Sequence, residues 1–487
     1  MSRWVTGIVI GLMTGMGLAA WLSREAVLAG LLLMVAFIIA TSLFPDRRRI
    51  CLGTASILAL WAGMFLFRME AERWDSLPER VDFSSRVEVI QRGSVHVFYR
   101  PVTLRPLATD WQGGDILYRA PIDFVGTPGE RLDFSCALRR PENFEPGFDY
   151  RALLASRGTG YTCERGGQGS EAAAERSAAR TILYRIQSGF QSRVNALLPE
   201  PESGLLTGLL IGGGDSLAPE TKAAFARAGL SHIVAVSGYN MSVVAEGLVI
   251  FALVFGLWRR WAVGVATLGL ALFLLVIDGS AASLRAALMA WLAFGAYFAG
   301  RPGASWNGLL IAATLMLTIN PLLIRFDIGF QLSFLATLAL LAFARHFETF
   351  EFFRTWYGKV LALFLTTLVI ELFTLPVIIS AFGMVSLVAP IANAALLPLV
   401  PVAMFVGITA TLLTSLVPAL GFLVMPLVWL PLAVIIRSAE WLSSIPGASV
   451  SGLDSTPVFA VCWYVGLGIA ISLLERFRKR YVLGMDH

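Results

Sequence analysis

Lysine is nearly missing from this chain: Lys222, Lys359 and Lys479 are the only three in 487 residues. Charge of any kind is scarce, at 15% of residues against roughly 25% in a soluble domain. That shortage excludes a wholly soluble globular protein. Histidine is confined to His96, His232, His346 and His487, too scattered for a metal-ligand cluster, so no metal is expected. There is no Cys-x-x-Cys pair, no Gly-x-Ser-x-Gly elbow and no Walker lysine spacing. Thiol-redox, serine-hydrolase and nucleotide-hydrolysing chemistries therefore lack their signatures; no cofactor is expected, and the chain reads as a conduit rather than an enzyme.

What is present is apolar. Hydrophobic residues make up 56% of the chain and the mean hydropathy is +0.71. The expected fold is a polytopic α-helical membrane protein of about twelve transmembrane helices, at roughly 20 residues per crossing, with one small extracytoplasmic all-β domain. Residues 1–70 hold three apolar runs, at 4–22, 26–44 and 50–68, and no small-residue cleavage site follows the first. Nine more fall near 232–256, 262–277, 281–299, 304–320, 329–345, 357–380, 386–412, 416–440 and 456–474. Net charge is +5, with nearly all of the excess as arginine. Arginine pairs bidentately with phosphate, but the positive-inside rule explains the same excess. By that rule Asp46-Arg47-Arg48-Arg49, Arg259-Arg260, Arg301 and the basic tail at 476–487 face the cytoplasm, placing both termini there and the protein in the cytoplasmic (inner) membrane.

Residues 80–166 change character. Val87-Glu88-Val89 and Val95-His96-Val97-Phe98-Tyr99 alternate like half-buried strands. Gln112-Gly113-Gly114-Asp115 and Thr127-Pro128-Gly129-Glu130 read as turns. A compact β domain is expected, a barrel or a sandwich, outside the cytoplasm because three spans precede it. Cys136 and Cys163 both fall within it, and an oxidising compartment lets them pair; Cys51 and Cys462 fall in apolar spans. Residues 170–200 read as an amphipathic connecting helix, and 203–475 as the main transmembrane domain.

Polar residues at membrane depth are functional candidates by default. Ser231, His232, Ser237, Gly238 and Asn240 interrupt what would otherwise be one span, and broken backbone there must line a cavity or be buried in protein. Asp278 and Arg285, seven apart, share a helical face; Asp327 and Gln331, four apart, are expected to do so too. Glu371 lies deep in an apolar run before Pro376, a predicted kink, and Asn393 follows Pro390. Path-lining or switch roles are expected for Ser237, Gly238, Asn240, Arg285, Asp327, Gln331, Glu371 and Asn393, against interhelical hydrogen bonding as the plain structural account. A secondary transporter using Glu371 and Asp327 as relays is a rival reading. A membrane enzyme acting on a lipid-linked substrate, with Glu371 as its base, is another.

An ordered set of motifs narrows the choice. Gly204-Leu-Leu-Thr-Gly-Leu-Leu-Ile-Gly-Gly-Gly and Gly229-Leu-Ser-His-Ile-Val-Ala-Val-Ser-Gly238 come first. Ser283-Leu-Arg-Ala286, Phe330-Gln-Leu-Ser-Phe-Leu335, Leu375-Pro376, Phe382-Gly-Met-Val-Ser386 and Asn393 follow. Together they resemble the competence domain of the ComEC DNA-channel family. Pro146-Gly-Phe-Asp-Tyr-Arg-Ala-Leu-Leu154 resembles the end of that family's OB-like domain. The resemblance implies an inner-membrane channel for single-stranded transforming DNA in natural competence, with the OB-like domain receiving DNA outside. OB folds stack bases on aromatics in a basic groove, which makes Tyr99, Arg100, Trp111, Tyr118 and Arg119 candidate contacts. The domain's charge is nearly balanced, however, with twelve arginines from Arg80 to Arg165 against eleven acids. The implied partners are single-stranded DNA, a DNA receptor protein on the outer side, a cytoplasmic helicase or ATPase motor, single-strand-binding proteins and the lipid bilayer. Many relatives read Ser-Gly-Leu-His where this chain has Ser237-Gly238-Tyr239-Asn240. Longer relatives end in a metallo-β-lactamase-like domain with a His-x-His-x-Asp-His cluster; here the chain stops at the basic tail, so any strand degradation is expected of a separate nuclease.

Overall fold

In the computed structural model the described residues are 3–20, 47–93, 98–124, 126–143, 149–164, 168–170, 176–212, 217–234, 236–277, 281–298, 305–348, 355–453 and 455–484. The second apolar run, at 26–44, and the segment 94–97 lie outside them. The chain divides into two compact units. One comprises Met1–Leu217, Ala235–Phe330 and Gly407–Met425, the other Ala218–Val234, Gln331–Val406 and Pro426–His487.

The first unit opens with α1 (Arg3–Ala19) against α2 (Arg47–Asp75). A Cβ at Gly15 would stand 1.8 Å from Leu60 O, and one at Gly63 2.0 Å from Leu12 O. Two glycines thus let two backbones touch, the packing that small residues allow in membranes, where burial of apolar surface does not drive association. The 29 residues of α2 run on past the apolar segment to the β domain. There the buried Arg140 guanidinium donates to the carbonyls of Trp74, Asp75 and Leu77 at 3.1 Å each. One side chain therefore satisfies the last carbonyls of the helix and ties it to the sheet.

The β domain is a small closed barrel of five strands: β1 (Arg80–Arg92), β2 (Arg100–Pro106), β3 (Asp115–Ala120), β4 (Arg131–Arg139) and β5 (Thr159–Cys163). The order is β1-β2-β3-β5-β4 and back to β1, with β3 and β5 parallel and the other pairs antiparallel. Closure depends on β1, which pairs at Val87 with both Pro106 and Leu132 and carries an irregularity between Val89 and Gln91; such a bulge bends a strand so that it serves two neighbours. Alternation sets the interior: Val102 and Leu104, Ile116 and Tyr118, Leu132, Phe134 and Leu138 all point inward. Both expected turns are present, with Gly114 at φ +70° and Gly129 at φ +92°. Phe98 and Tyr99 belong to the β1–β2 connection rather than to a strand. Cys136 and Cys163 are joined in a disulfide, Cα–Cα 6.3 Å. A short helix α3 (Tyr150–Ser156) lies between β4 and β5, and a short strand β6 (Gln168–Ser170) pairs with β4.

Helix α4 (Ala178–Leu197) leaves the barrel and joins it to the apolar helices. Just ahead of it Arg176 pairs with Glu130 at 2.8 Å, and in its first turn Arg180 pairs with the buried Glu88 at 2.9 Å. Farther along, Gln187 donates to the Val276 carbonyl. Then come α5 (Glu202–Ile211) and α6 (Pro219–Arg227), and a single turn, α7 (Ser231–Val234). The remaining helices are α8 (Gly238–Val254), α9 (Arg259–Val276), α10 (Ala281–Phe298), α11 (Ser305–Ile319), a turn α12 (Leu323–Phe326), α13 (Ile328–Glu348) and α14 (Trp356–Phe382). The order closes with β7 (Met384–Ser386), α15 (Ala389–Leu396), α16 (Leu399–Leu416), α17 (Gly421–Ser444), β8 (Ser449–Ser451) and α18 (Pro457–Gly484).

Among the described residues four helices are long and apolar enough to cross a membrane, and seven shorter ones are apolar. The molecule is a multi-pass membrane protein, and the described helices do not by themselves confirm the expected count of about twelve crossings. Two expected spans are broken. The run 232–256 parts between α7 and α8, and 386–412 parts between α15 and α16, where Pro398 has no amide to donate.

Candidate functional site

The first cluster stands where α8 begins. Ser237, in extended backbone, is its N-cap. The Asn240 amide donates to Ser237 Oγ at 3.4 Å, and the Ser237 hydroxyl donates to Asn240 Oδ1 at 3.1 Å. Asn240 is 1% exposed, and its Nδ2 donates to Leu209 O at 3.1 Å. That carbonyl belongs to the last turn of α5, which has no intrahelical partner for it. One buried amide thereby stitches the start of α8 to the end of α5. Helix α10 supplies the third side: buried Ser283 donates to Val236 O at 3.5 Å. Arg285, 7% exposed, reaches back so that a Cβ on residue 238 would lie 2.6 Å from its Nη2. Ser237, Gly238, Asn240 and Arg285 therefore form one site, and Leu209, Val236 and Ser283 complete it. Asp278 lies outside the described residues.

Asp327 plays a different part from the one its spacing suggests. Its backbone is extended, at φ −101° and ψ 102°, and its Oδ1 accepts the Phe330 amide as the cap of α13. The residue stands before the helix, so Asp327 and Gln331 do not share a helical face as expected.

Glu371, Asn393 and Gln331 belong to the second unit. Pro376 sits inside α14 and cannot donate to Leu372 O four residues back. Trp463 Nε1 of α18 donates to that carbonyl at 2.8 Å, and Tyr464 Oη to Phe373 O at 3.0 Å. Sequence reasoning missed this pair; a proline within an apolar helix was the available signal, since the carbonyl it frees needs a donor at membrane depth. Asn393 is buried on α15, and its Oδ1 has no hydrogen-bond partner among the described residues. Against the start of α15 stands Gly229, at φ +74°, where a Cβ would lie 2.2 Å from Ala389 Cβ.

The barrel separates its candidates. Tyr118 is 3% exposed and packs edge-on against Phe124 and Phe134. Burial pushes its phenol above the ordinary tyrosine value, with Asp123 adding to the effect. Trp111 meets Phe83 edge-on and Tyr161 at a tilt, and donates its indole N–H to Gly114 O at 2.7 Å. Tyr118 is core, because alternation along β3 turns it inward, and Trp111 is half-buried against that core beside the Gly113-Gly114 turn. Tyr99 and Arg119 do come together, whereas Arg100, opposite buried Ala120, lies on the other face of β2 and beside Arg92. Arg100 pairs with Ala120 and Pro101 with Arg119 in the β2–β3 ladder, and the Arg119 guanidinium lies 5.5 Å from the centre of the Tyr99 ring. Arg119 also pairs with Glu164 at 3.2 Å. Arg92, from the other end of the same connection, donates to Phe124 O at 2.8 Å. Its pKa is lowered by burial and then by the Arg100 charge beside it. Phe98 is 72% exposed. Arg92 and Phe98 are the members of this patch that the sequence reading passed over.

A small β barrel joined to many apolar helices, one polar cluster among them, defines a multi-pass membrane protein with an appended small β domain. The Competence protein family model matches residues 209–477, more than half of the chain, and the chain belongs to that family. ComE operon protein 3 of Bacillus subtilis (strain 168) is 27% identical over 236 residues, 47% of this chain and 29% of the relative. The chain thus matches under a third of that relative's length. No solved structure matches the chain.

Proposed function

We propose that this protein carries single-stranded DNA across the cytoplasmic membrane during natural transformation. The reading places the barrel as an OB-like receiving domain on the extracytoplasmic side and both termini in the cytoplasm. One observation carries it: a closed five-stranded barrel in the order of an OB fold carries, at its β1–β2 connection, an exposed Phe98, a Tyr99–Arg119 pair on one face and Arg92 beside Arg100 on the other. OB folds use the β1–β2 loop and the strand 2–3 face to take oligonucleotides, and exposed rings among arginines suit a strand whose bases stack and whose phosphates are fixed. The Competence protein family supports the same reading, and the relative ComE operon protein 3 is consistent with it. A solute transporter has no use for such a surface.

Ser237, Gly238, Asn240 and Arg285 are the proposed path-side cluster. Glu371, Gln331 and Asn393 are the corresponding polar positions of the second unit, and Asp327 is assigned to capping. An outer DNA receptor delivers the strand, a cytoplasmic helicase or ATPase motor draws it in, single-strand-binding proteins receive it, and a separate nuclease removes the other strand.

The test is uptake of fluorescent DNA in a strain lacking the gene, complemented with the wild type or with Arg285→Glu. DNA held outside the cytoplasm in the deletion strain and admitted only with the wild-type gene supports the proposal and puts Arg285 on the path. Normal entry in the deletion strain overturns it. Rescue by both alleles keeps the conduit and removes Arg285 from its path.

A further inference from the structure

The turn between α8 and α9 is shaped more sharply than a link between two helices requires. The Leu257 amide donates to Ala252 O at 3.1 Å and the Gly256 amide to Leu253 O at 3.0 Å, with Gly256 at φ +78°. This is a Schellman stop, in which only a residue tolerant of the left-handed region fits. Helix α9 then begins at Arg259, with Trp258 in extended backbone before it. The turn reads Phe255-Gly-Leu-Trp-Arg-Arg-Trp261, and every residue from Leu253 to Trp261 is exposed, Trp258 by 82% and Trp261 by 73%.

Three properties converge on it. Exposed apolar side chains continue from the turn along both helices, through Phe251 on α8 and Val265 and Leu268 on α9. The turn therefore ends a lipid-facing surface rather than standing alone in water. Tryptophans, apolar in the ring and polar at the N–H, collect where hydrocarbon meets headgroups. The arginines lie in the first turn of α9, at the positive end of the helix dipole, where a cation does nothing for the helix; an anionic surface accounts for them.

We propose that this turn is a docking site for anionic phospholipid headgroups of the cytoplasmic leaflet, with Arg259 and Arg260 on the phosphates and Trp258 and Trp261 at the acyl boundary. A nucleic-acid strand is the other polyanion that suits arginines set among aromatics. The apolar surface that runs on from the turn decides for the lipid, because a strand in water gains nothing from it. A fixed tip at headgroup depth holds the connected ends of α8 and α9 while the polar cluster at the other end of α8 engages its ligand.

The experiment is hydrogen exchange on the full-length protein in nanodiscs of phosphatidylcholine alone and in discs doped with phosphatidylglycerol. Exchange across the turn is expected to slow in the anionic discs, by about fivefold for each arginine and about 30-fold for the pair, the pull of an anionic leaflet on surface cations. Arg259→Gln with Arg260→Gln abolishes the difference, while unchanged exchange in barrel strands β1 to β4 shows that the variant has folded. If it does not fold, the wild-type comparison decides alone. Equal exchange in the two kinds of disc overturns the proposal. Protection by an oligonucleotide in phosphatidylcholine discs, without the anionic lipid, overturns it in favour of nucleic acid.

Discussion

The guanidinium of Arg285 occupies the room that Gly238 leaves: its Nη2 lies 2.6 Å from where a Cβ on residue 238 would stand, and Ala286 Cβ closes the site at 3.4 Å. Gly238→Ala must push a buried side chain out of place. Overpacking of this kind costs about 1–3 kcal/mol. A fall in thermal stability together with a fall in transformation frequency is therefore expected. Gly247 in the same helix has nothing within 4 Å of its would-be Cβ, so Gly247→Ala controls for helix propensity. Equal behaviour of the two alanine variants would show that the packing against Arg285 carries no weight.

Ser237 and Asn240 act as a unit, since each is a hydrogen-bond partner of the other and Asn240 alone reaches Leu209 O. Asn240→Leu leaves that buried carbonyl without a donor, at about 1–3 kcal/mol. Ser237→Ala removes an N-cap, at about 1 kcal/mol. The double variant is expected to fall short of the sum by at least about 0.5 kcal/mol, as groups in one network do. Strict additivity in thermal unfolding would separate the two residues.

Several parts of this architecture were legible because one local rule decided them. Alternation and glycine turns mark the barrel strands, and a polar run inside an apolar segment marks the break before α8. Two cysteines in one β domain pair as expected. What stayed hidden depends on groups far apart in the chain. Nothing local says that the Asn240 amide will meet the end of α5, or that Trp463 will serve a carbonyl ninety-one residues away. Asp327 misleads because an acid just ahead of an apolar run can either cap the helix, bonding three residues on, or share a face with the residue four on; the extended backbone at 327 makes it the cap. Tyr118 and Tyr99 are both aromatics near a strand; parity along β3 turned Tyr118 inside, while Tyr99 fell in the connection before β2 and lies beside Arg119.

Trp463 and Pro376 form a matched pair. Trp463→Phe removes the donor to Leu372 O and is expected to cost about 0.6–2 kcal/mol, the span of hydrogen bonds between membrane helices. In a Pro376→Ala background residue 376 regains its amide and supplies that carbonyl from within α14. The cost of Trp463→Phe should then largely vanish. A cost that persists unchanged would mean that the indole acts by packing alone.

The Cys136–Cys163 bridge closes a loop of 27 residues. A crosslink over a loop of that length stabilises by about 3.5 kcal/mol through the unfolded chain. Replacing both cysteines with serine is expected to expose the segment between Arg80 and Cys163 to protease in the full-length protein, while the apolar helices stay resistant. Reductant should do the same to the wild type and nothing further to the variant. Protease resistance that survives both treatments would place the domain's stability in its apolar core.

The barrel surface supplies the sharpest contrast, because neighbouring residues are predicted to fail in different ways. Arg100→Glu and Arg119→Glu should weaken binding of a single-stranded oligonucleotide to the full-length protein and flatten its salt dependence by roughly 0.7 in log–log slope for each phosphate no longer neutralised. Tyr99→Ala should cost about 1–3 kcal/mol of binding, the value of one stacked base, with the fold intact. Tyr118→Ala empties a core position between Phe124 and Phe134 and should instead cost about 3–5 kcal/mol of barrel stability. Fluorescence-anisotropy titration at several salt concentrations, paired with proteolysis, reads both effects. Because Arg119 is held by Glu164 as well as by the Tyr99 ring, Glu164→Gln should free it and tighten binding. Weaker binding in that variant would show that Glu164 orients the arginine rather than competing with the strand for it.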